Sequence, residues 1–405
     1  MIMNIKFPMI LDGAMGTQLQ KRGLKPGMCP ERWSCEHPDA VLEVQRAYVE
    51  AGSELIYSPT FGANASRLES HGEFNKVEEL NKQLVGLSKT AAGDKALVAG
   101  DISSAGGMLY PLGDMSFEDF FNVYCEQAKA LENAGVDLFA IETMTNIPEA
   151  RAAVLAVKSV SSKPIFVTFS CDENGKTMMG TDLCAALQIL QGMGIDAFGI
   201  NCSVGPEEAV AQIQRLYKYA CIPLIAKPNA GLPLTVDGET VYSVGPDAFA
   251  AFIPALAEAG ANLFGACCGS NEETIRAIKK ALQGIEMKQP NPEDIDSLPC
   301  ATEKEMFMLD ADVSCETVLP CDEELEDALC DLEEGELFGI EINSIEDVAV
   351  FVDCQYAIKN PLCLFCEDAL LLEKALRAYQ GRALYEGSLP DDALLPLVEK
   401  YGLII

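Results

Sequence analysis

The sequence predicts an α/β protein: a (β/α)8 TIM barrel followed by a small C-terminal α/β domain. Two observations predict it. Eight short apolar segments alternate with helix-period stretches over about 280 residues, the usual size of such a barrel. The charge pattern then breaks. From residue 288 onward there are 28 acidic and 7 basic residues, so this stretch holds −21 of the chain's −33; the first 287 residues hold 34 and 22. The break assigns residues 1–287 to the barrel, 288–300 to a linker and 301–405 to the acidic domain.

The expected barrel strands are Pro8–Leu11, Glu54–Tyr57, Ala96–Ala99, Leu138–Ile141, Ile165–Phe169, Ala197–Ile200, Leu224–Ala226 and Asn262–Gly265. Helical periodicity fills the gaps, for example in Ala40–Ala51, Phe117–Ala134, Pro206–Tyr219 and Pro246–Ala259. Three of these connections end in Ala-Gly directly before a strand, at Gly52, Gly135 and Gly260, where a glycine suits a helix C-terminus. A doubly wound sheet would show a G-x-G-x-x-G loop after its first strand, and Asp12–Thr17 lacks that spacing. Gln289–Pro299 has three prolines among acidic and amide residues and reads as a linker. Beyond it, Asp322–Glu336 reads as a solvated acidic helix. Strands are expected at Glu336–Ile342, Val348–Val352, Leu362–Phe365, Ala383–Tyr385 and Leu403–Ile405, and helices at Ala369–Tyr379 and Asp391–Tyr401.

Composition excludes several classes. A net charge of −33 repels phosphates and anionic lipid heads, so neither a nucleic acid nor a membrane is an expected partner. No apolar run approaches the roughly 20 residues that span a bilayer. Sixteen scattered cysteines in a long chain with no secretory pattern fit a reducing cytoplasm better than a disulfide scaffold. With only His37 and His71 present, a histidine-rich metal site is excluded.

In such barrels, catalytic groups sit past the C-terminal ends of the strands. Three cysteines fall there: Cys202 after the sixth strand, and Cys267 with Cys268 after the eighth. These ends flank the seventh strand, so the thiols share one arc of the rim. Three thiolates with an open fourth position form the catalytic zinc arrangement; three buried structural cysteines are the alternative. Cys171 lies one strand further away. Cys363 and Cys366 sit in a strand-like run and point to opposite faces, which is poor geometry for chelation. Glu142 closes the apolar run Leu138–Ile141. A carboxylate there is costly unless it meets a cation, either a lysine or arginine of the chain or a substrate ammonium. Asp12 poses the same choice. Asn229, between the two cysteine-bearing strand ends, offers an amide to a metal or a substrate, or only a turn.

These residues match a known pattern. Leu11-Asp-Gly-Ala-Met-Gly-Thr-Gln-Leu19 resembles the opening of the zinc-dependent homocysteine S-methyltransferase family. So do Thr60-Phe-Gly-Ala-Asn64, Ile141-Glu-Thr-Met144, Gly199-Ile-Asn-Cys-Ser203, Lys227-Pro-Asn-Ala-Gly-Leu-Pro233, Asp237-Gly-Glu-Thr-Val-Tyr242 and Gly265-Ala-Cys-Cys-Gly-Ser270. The likeness runs from residue 8 to about 285 and is greatest to the homocysteine-binding module of cobalamin-dependent methionine synthases. It implies zinc (Zn2+) on Cys202, Cys267 and Cys268, and homocysteine near Asp12, Ala14, Met15 and Glu142. Two phrases depart from it: Ser58-Pro-Thr-Phe61 replaces Thr-Asn-Thr-Phe, and Asp101-Ile-Ser-Ser104 replaces a Gly-Pro phrase. The C-terminal domain weakly resembles a fragment of a pterin-binding module, and the Asp-x-His-x-x-Gly signature of a cobalamin module is absent.

The expected function is therefore methyl transfer to the zinc-activated thiolate of homocysteine, forming methionine. A corrinoid protein, with methylcobalamin as donor, or another methyl donor would supply the group. The alternatives are a methyltransferase for a different small thiol, or a non-catalytic zinc- or thiol-binding subunit.

Overall fold

The computed structural model describes residues 6–110, 112–236, 239–290 and 297–405. Eight parallel strands form the barrel sheet. They are β1 (Met9–Ile10), β2 (Leu55–Tyr57), β3 (Leu97–Ile102), β4 (Leu138–Met144), β5 (Ile165–Phe169), β6 (Ala197–Asn201), β7 (Leu224–Lys227) and, after a hairpin of β8 (Pro233–Val236) and β9 (Glu239–Tyr242), β10 (Ala261–Phe264). The order is β1-β10-β7-β6-β5-β4-β3-β2. The seam between β1 and β2 is bridged rather than laddered. Glu54 N–H donates to the Ile10 carbonyl at 2.7 Å, and Ile10 N–H donates to the Glu54 carboxylate at 3.0 Å. Alternate strand residues, among them Leu11, Leu55, Ala99, Leu138, Phe166, Ile225 and Leu263, fill the barrel as a packed core.

The predicted barrel is thus the observed one. The Ala-Gly turns end their helices as expected, with Gly52, Gly135 and Gly260 in the left-handed conformation. Two strands run further than the sequence suggests. β3 continues through Asp101 because the Ser58 and Thr60 hydroxyls accept from its N–H, at 3.3 and 3.2 Å. β4 continues through Glu142 to Met144 across an irregularity at Thr143, whose φ is 62°. The β8–β9 hairpin was not expected. Its signal is an Asp-Gly pair flanked by alternating β-formers; Asp237 and Gly238 themselves lie outside the described residues.

Two compact units divide the chain at Met178/Met179, Ile195/Asp196 and Asn291/Pro292. The segment Met179–Ile195, with the helix Leu183–Gly192, groups with the C-terminal unit. The expected linker 288–300 lies partly outside the described residues, at 291–296, and Ser297–Cys300 belong to a strand. That strand, β11 (Ser297–Ala301), pairs antiparallel with β12 (Met306–Asp310). A second sheet follows: β13 (Thr317–Pro320), β14 (Phe338–Glu341), β15 (Leu362–Phe365) and β16 (Leu384–Glu386), all parallel and in sequential order. Ile404 makes an isolated parallel bridge to Leu384 where a last strand was expected. The acidic stretch from Asp322 yields only a short helix, Leu325–Cys330, anchored by buried Leu325 and Leu329.

One expected strand is a helix. Val348–Val352 alternates like a strand, yet Ile345–Cys354 is helical. Ser344 and Asp347 form a capping box. The Ser344 hydroxyl accepts from the Asp347 N–H at 3.1 Å, and the Asp347 carboxylate accepts from the Ser344 N–H at 3.0 Å. This fixes the first turn, and the helix buries Val348 and Phe351. No helix of the described residues is long and apolar enough to cross a membrane.

Ser344→Ala should cost the C-terminal unit about 1 kcal/mol, read as a lower urea midpoint at unchanged slope. An unchanged midpoint would show that the cap does not hold this helix.

Candidate active site

A cavity of about 250 Å³ opens at the C-terminal mouth of the barrel. Asp12, Ala14, Met15, Asp101, Glu142, Cys202, Lys227, Cys267 and Cys268 are among its lining residues. The expected zinc cysteines and all but one of the expected substrate residues therefore share it. Asn229 does not line it; its side chain is hydrogen-bonded to Cys202.

The sulfurs converge because three strand ends are laced by their backbones. Cys202 N–H donates to the Lys227 carbonyl at 3.3 Å, Cys267 N–H to the Pro228 carbonyl at 2.7 Å, and Ala230 N–H to the Cys268 carbonyl at 2.9 Å. Just past β6 the chain turns through two left-handed residues, Cys202 (φ 59°) and Ser203 (φ 55°). Such backbone is disfavoured for non-glycine residues and is kept only where its surroundings enforce it. The three sulfurs lie within 4.8 Å of one another, and Cys202 Sγ and Cys268 Sγ are 3.9 Å apart. Tetrahedral ligands about 2.3 Å from a zinc ion stand about 3.8 Å from each other. The spacing and the soft three-sulfur donor set both fit zinc.

Neighbours tune this trio. Hydrogen bonds from Cys267 and Cys268 pull the Cys202 thiol down to about 2. The same contacts push Cys267 well up and Cys268 to about 11. The Tyr242 hydroxyl, carried in by β9, also bonds the Cys268 sulfur. Its ring lies where a β-carbon on Gly269 would be, 2.2 Å from that position. The Asn229 Oδ1 is buried without a partner among the described residues.

Across the cavity lies an ion triad. Lys227 Nζ sits 3.2 Å from Asp12 Oδ1 and 3.3 Å from Glu142 Oε2, and 4.1 Å from the centre of the Tyr57 ring. All three charged side chains are buried. Burial alone would lower the lysine, but Glu142 and Asp12 hold it well above its ordinary value. Burial pushes both carboxyls up against the pull of Lys227. Asp12 also closes the barrel seam, its Oδ2 accepting from Tyr57 N–H at 2.8 Å. The cation that Glu142 requires is thus supplied by the chain, 85 residues away. With two carboxylates to one ammonium, the triad retains a net negative charge.

Sequence reasoning missed two residues that hold this geometry. Lys227 falls on the strand-end rim and opens the phrase that carries Asn229, but nothing in the sequence names its partners. Asn201, just before Cys202, was read only as a strand end. Its Oδ1 accepts from Thr143 N–H and the Thr168 hydroxyl, both at 2.9 Å, and its Nδ2 donates to Thr143 Oγ1 at 2.7 Å and Glu142 Oε2 at 3.4 Å. It therefore joins the carboxylate side of the cavity to the sulfur side. Ala14 is fixed by its backbone. Its N–H donates to Ser270 Oγ at 3.0 Å, and its carbonyl accepts from the Tyr48 hydroxyl at 2.6 Å.

The family model for homocysteine S-methyltransferases matches residues 9–282. The chain belongs to the homocysteine S-methyltransferase family. A methionine synthase of Mycobacterium leprae is 32% identical over 294 residues, 68% of this chain and 24% of that protein. One from Mycobacterium tuberculosis is 30% identical over 297 residues, 68% of this chain and 25% of that protein. The chain thus spans about a quarter of the length of these relatives. The oxidized form of the homocysteine methyltransferase MmuM from Escherichia coli superposes with a TM-score of 0.56 at 27% identity, covering 67% of this chain and 95% of that one. The metallated form gives 0.57 at 25% identity, covering 68% and 96%.

The surface around the mouth is lopsided. Among the described residues of the barrel unit, the large exposed apolar side chains all sit in connections that follow barrel strands. These are Met28 after β1, Phe61 and Phe74 after β2, Met108, Tyr110 and Leu112 after β3, Met178 after β5, and Leu232, Leu234 and Val241 after β7.

Lys227→Met leaves two buried carboxylates without their cation. At pH 8 this should cost about 3–5 kcal/mol. At pH 5 the loss should be smaller, because carboxyls already pushed up by burial take protons there. A folded-state pKa above the unfolded one favours folding below the unfolded value and loses that contribution as pH rises. Urea unfolding at both pH values reads the difference; an equal loss at both would show that the carboxylates do not depend on Lys227.

Proposed function

We propose that this chain methylates homocysteine to methionine, with zinc held by Cys202, Cys267 and Cys268, and that the methyl group arrives from a corrinoid protein or another methyl donor. One observation carries the reading: the three-sulfur cluster and the carboxylate pair Asp12 and Glu142 line one cavity. Homocysteine has a thiol at one end and an ammonium at the other, and the cavity meets both. Zinc bound to the three cysteines would supply a Lewis acid that keeps the substrate sulfur deprotonated at neutral pH, where a free thiol is mostly protonated. The remaining work falls to the chain itself. Asp12 and Glu142, bridged by Lys227, receive the ammonium and set the reach of the substrate. Tyr242 and Asn229 hold the sulfurs of Cys268 and Cys202 in place. The buried walls exclude water, so the anionic sulfur stays poorly solvated and nucleophilic. It attacks the methyl carbon in line; the bond from that carbon to the donor breaks, and its electron pair leaves with the donor. The product is a neutral thioether, which lacks the charge that held the thiolate.

The apolar rim supports a large donor. A free, charged methyl donor needs no such collar, whereas a macrocycle carried on a protein must press against the mouth to bring its methyl group to the sulfur.

The deciding experiment is a methyl-transfer assay with homocysteine against methylcobalamin, protein-bound methylcobalamin, S-methylmethionine, betaine and methyltetrahydrofolate. Methionine formation from a corrinoid donor is expected; no methionine from any of them would sink the reading. Cys268→Ser should lower bound zinc and remove activity together. Glu142→Gln should keep zinc and weaken homocysteine about 10- to 150-fold, the loss of one charge-assisted hydrogen bond. Calorimetry with unchanged affinity would return Glu142 to a purely structural ion pair.

A further inference from the structure

The cavity holds a third carboxyl group that the ion triad leaves over. Asp101, in β3, is 5% exposed and lines the same wall. Its backbone is fully engaged with Ser58 and Thr60. Its side chain is not. The Oδ1 is sealed from the surface and has no hydrogen-bond partner among the described residues. Lys227 is the one cation among the described lining residues, and it is committed to Asp12 and Glu142. A buried carboxylate with no cation and no donor does not persist as an anion. The charged groups that face Asp101 are Glu142 from β4, Lys227 from β7, Asp12 after β1 and Glu31 from the helix Pro30–Glu36; Tyr57 of β2 is also close. Three of the four are acidic. Burial first, and Glu142 next, hold Asp101 well above the usual carboxylate range.

The substrate has a need that matches. An α-amino acid brings an ammonium and a carboxylate into this cavity together. The ammonium offsets the net charge of Asp12, Glu142 and Lys227. The carboxylate then finds no uncommitted cation among the lining residues; with the Ala14 N–H given to Ser270, the Met15 and Gly16 N–H groups and the Asp101 carboxyl are the neutral groups left to it on that side. It needs a neutral donor.

We propose that Asp101 is a substrate-binding residue that carries its proton and donates a hydrogen bond to the carboxylate of the bound amino-acid thiol. This rests on the homocysteine reading above. No proton is transferred. A substrate carboxylate beside the group holds the proton on Asp101 more firmly, since two adjacent carboxylates repel each other. Asp101 thereby selects thiols that carry a carboxylate over simple aminothiols.

The test is calorimetric binding to the zinc-loaded full chain, for the natural protein, Asp101→Ala and Asp101→Asn, with zinc content and circular dichroism measured on each. Two ligands are compared: homocysteine, and 3-aminopropane-1-thiol, which is homocysteine without its carboxylate. Asp101→Ala should weaken homocysteine about tenfold or more, the loss of a hydrogen bond to a charged group. Asp101→Asn, whose amide can still donate, should recover most of that loss. Neither change should matter to the aminothiol. A folded, zinc-loaded Asn variant as weak for homocysteine as Ala would overturn the inference, because it would make Asp101 an anion. Equal weakening of both ligands would overturn it too, by moving the contact off the carboxylate. Natural protein that takes up zinc but does not bind homocysteine would instead overturn the proposed function, and this inference with it.

Discussion

The burial of Lys227 between Asp12 and Glu142 is the constraint on which the rest of the active end depends. It joins β1, β4 and β7 inside the barrel mouth at distances of 3.2 and 3.3 Å. A lone cation there would be intolerable, and so would either carboxylate. The same short stretch governs the sulfur side. The carbonyls of Lys227 and Pro228 take the N–H groups of Cys202 and Cys267, and Ala230 N–H takes the Cys268 carbonyl. Four consecutive residues therefore fix both the buried carboxylate pair and the convergence of three thiols. Asn201 makes the cross-brace between the two sides.

Much of this was legible in the sequence because barrels translate position into function. Once the strands are counted, Cys202, Cys267, Cys268, Glu142 and Asp12 fall on one rim with no further information. What could not be read was the pairing across the barrel. Nothing local to Glu142 says that its cation is Lys227, 85 residues on; only the closure of the sheet brings β4 and β7 to face each other. Asp101 and Asn201 stand in phrases the sequence analysis singles out, but their roles depend on which neighbours are left unpaired, a property of the assembled cavity. The extension of β3 and β4 was hidden for a similar reason, since side-chain hydroxyls and an amide from other strands support that backbone.

The C-terminal unit was less legible, and the reason is composition. Its acidic, alternating stretches suit a strand face or a capped helix equally well. At Ile345–Cys354 the capping box decided for the helix against a strand-like pattern. At Thr317–Pro320, a half-exposed strand lay hidden in a polar stretch. The finished sheet has its four parallel strands in sequential order, each joined to the next through a helix. That is the winding of half a (β/α)8 barrel.

The gathering of exposed apolar side chains around the mouth also has a colloidal consequence. The chain's −33 charge keeps copies apart in dilute buffer, where the field reaches about 30 Å at 0.01 M salt and only about 3 Å at 1 M. Screening removes that repulsion but leaves the attraction between the oily collars intact, and a sulfate salt strengthens it. The protein should therefore be freely soluble at low ionic strength and stick mouth to mouth in strong salt. Salting out would begin at the end of the barrel that carries the cavity, so the cavity would be covered before any turbidity appears.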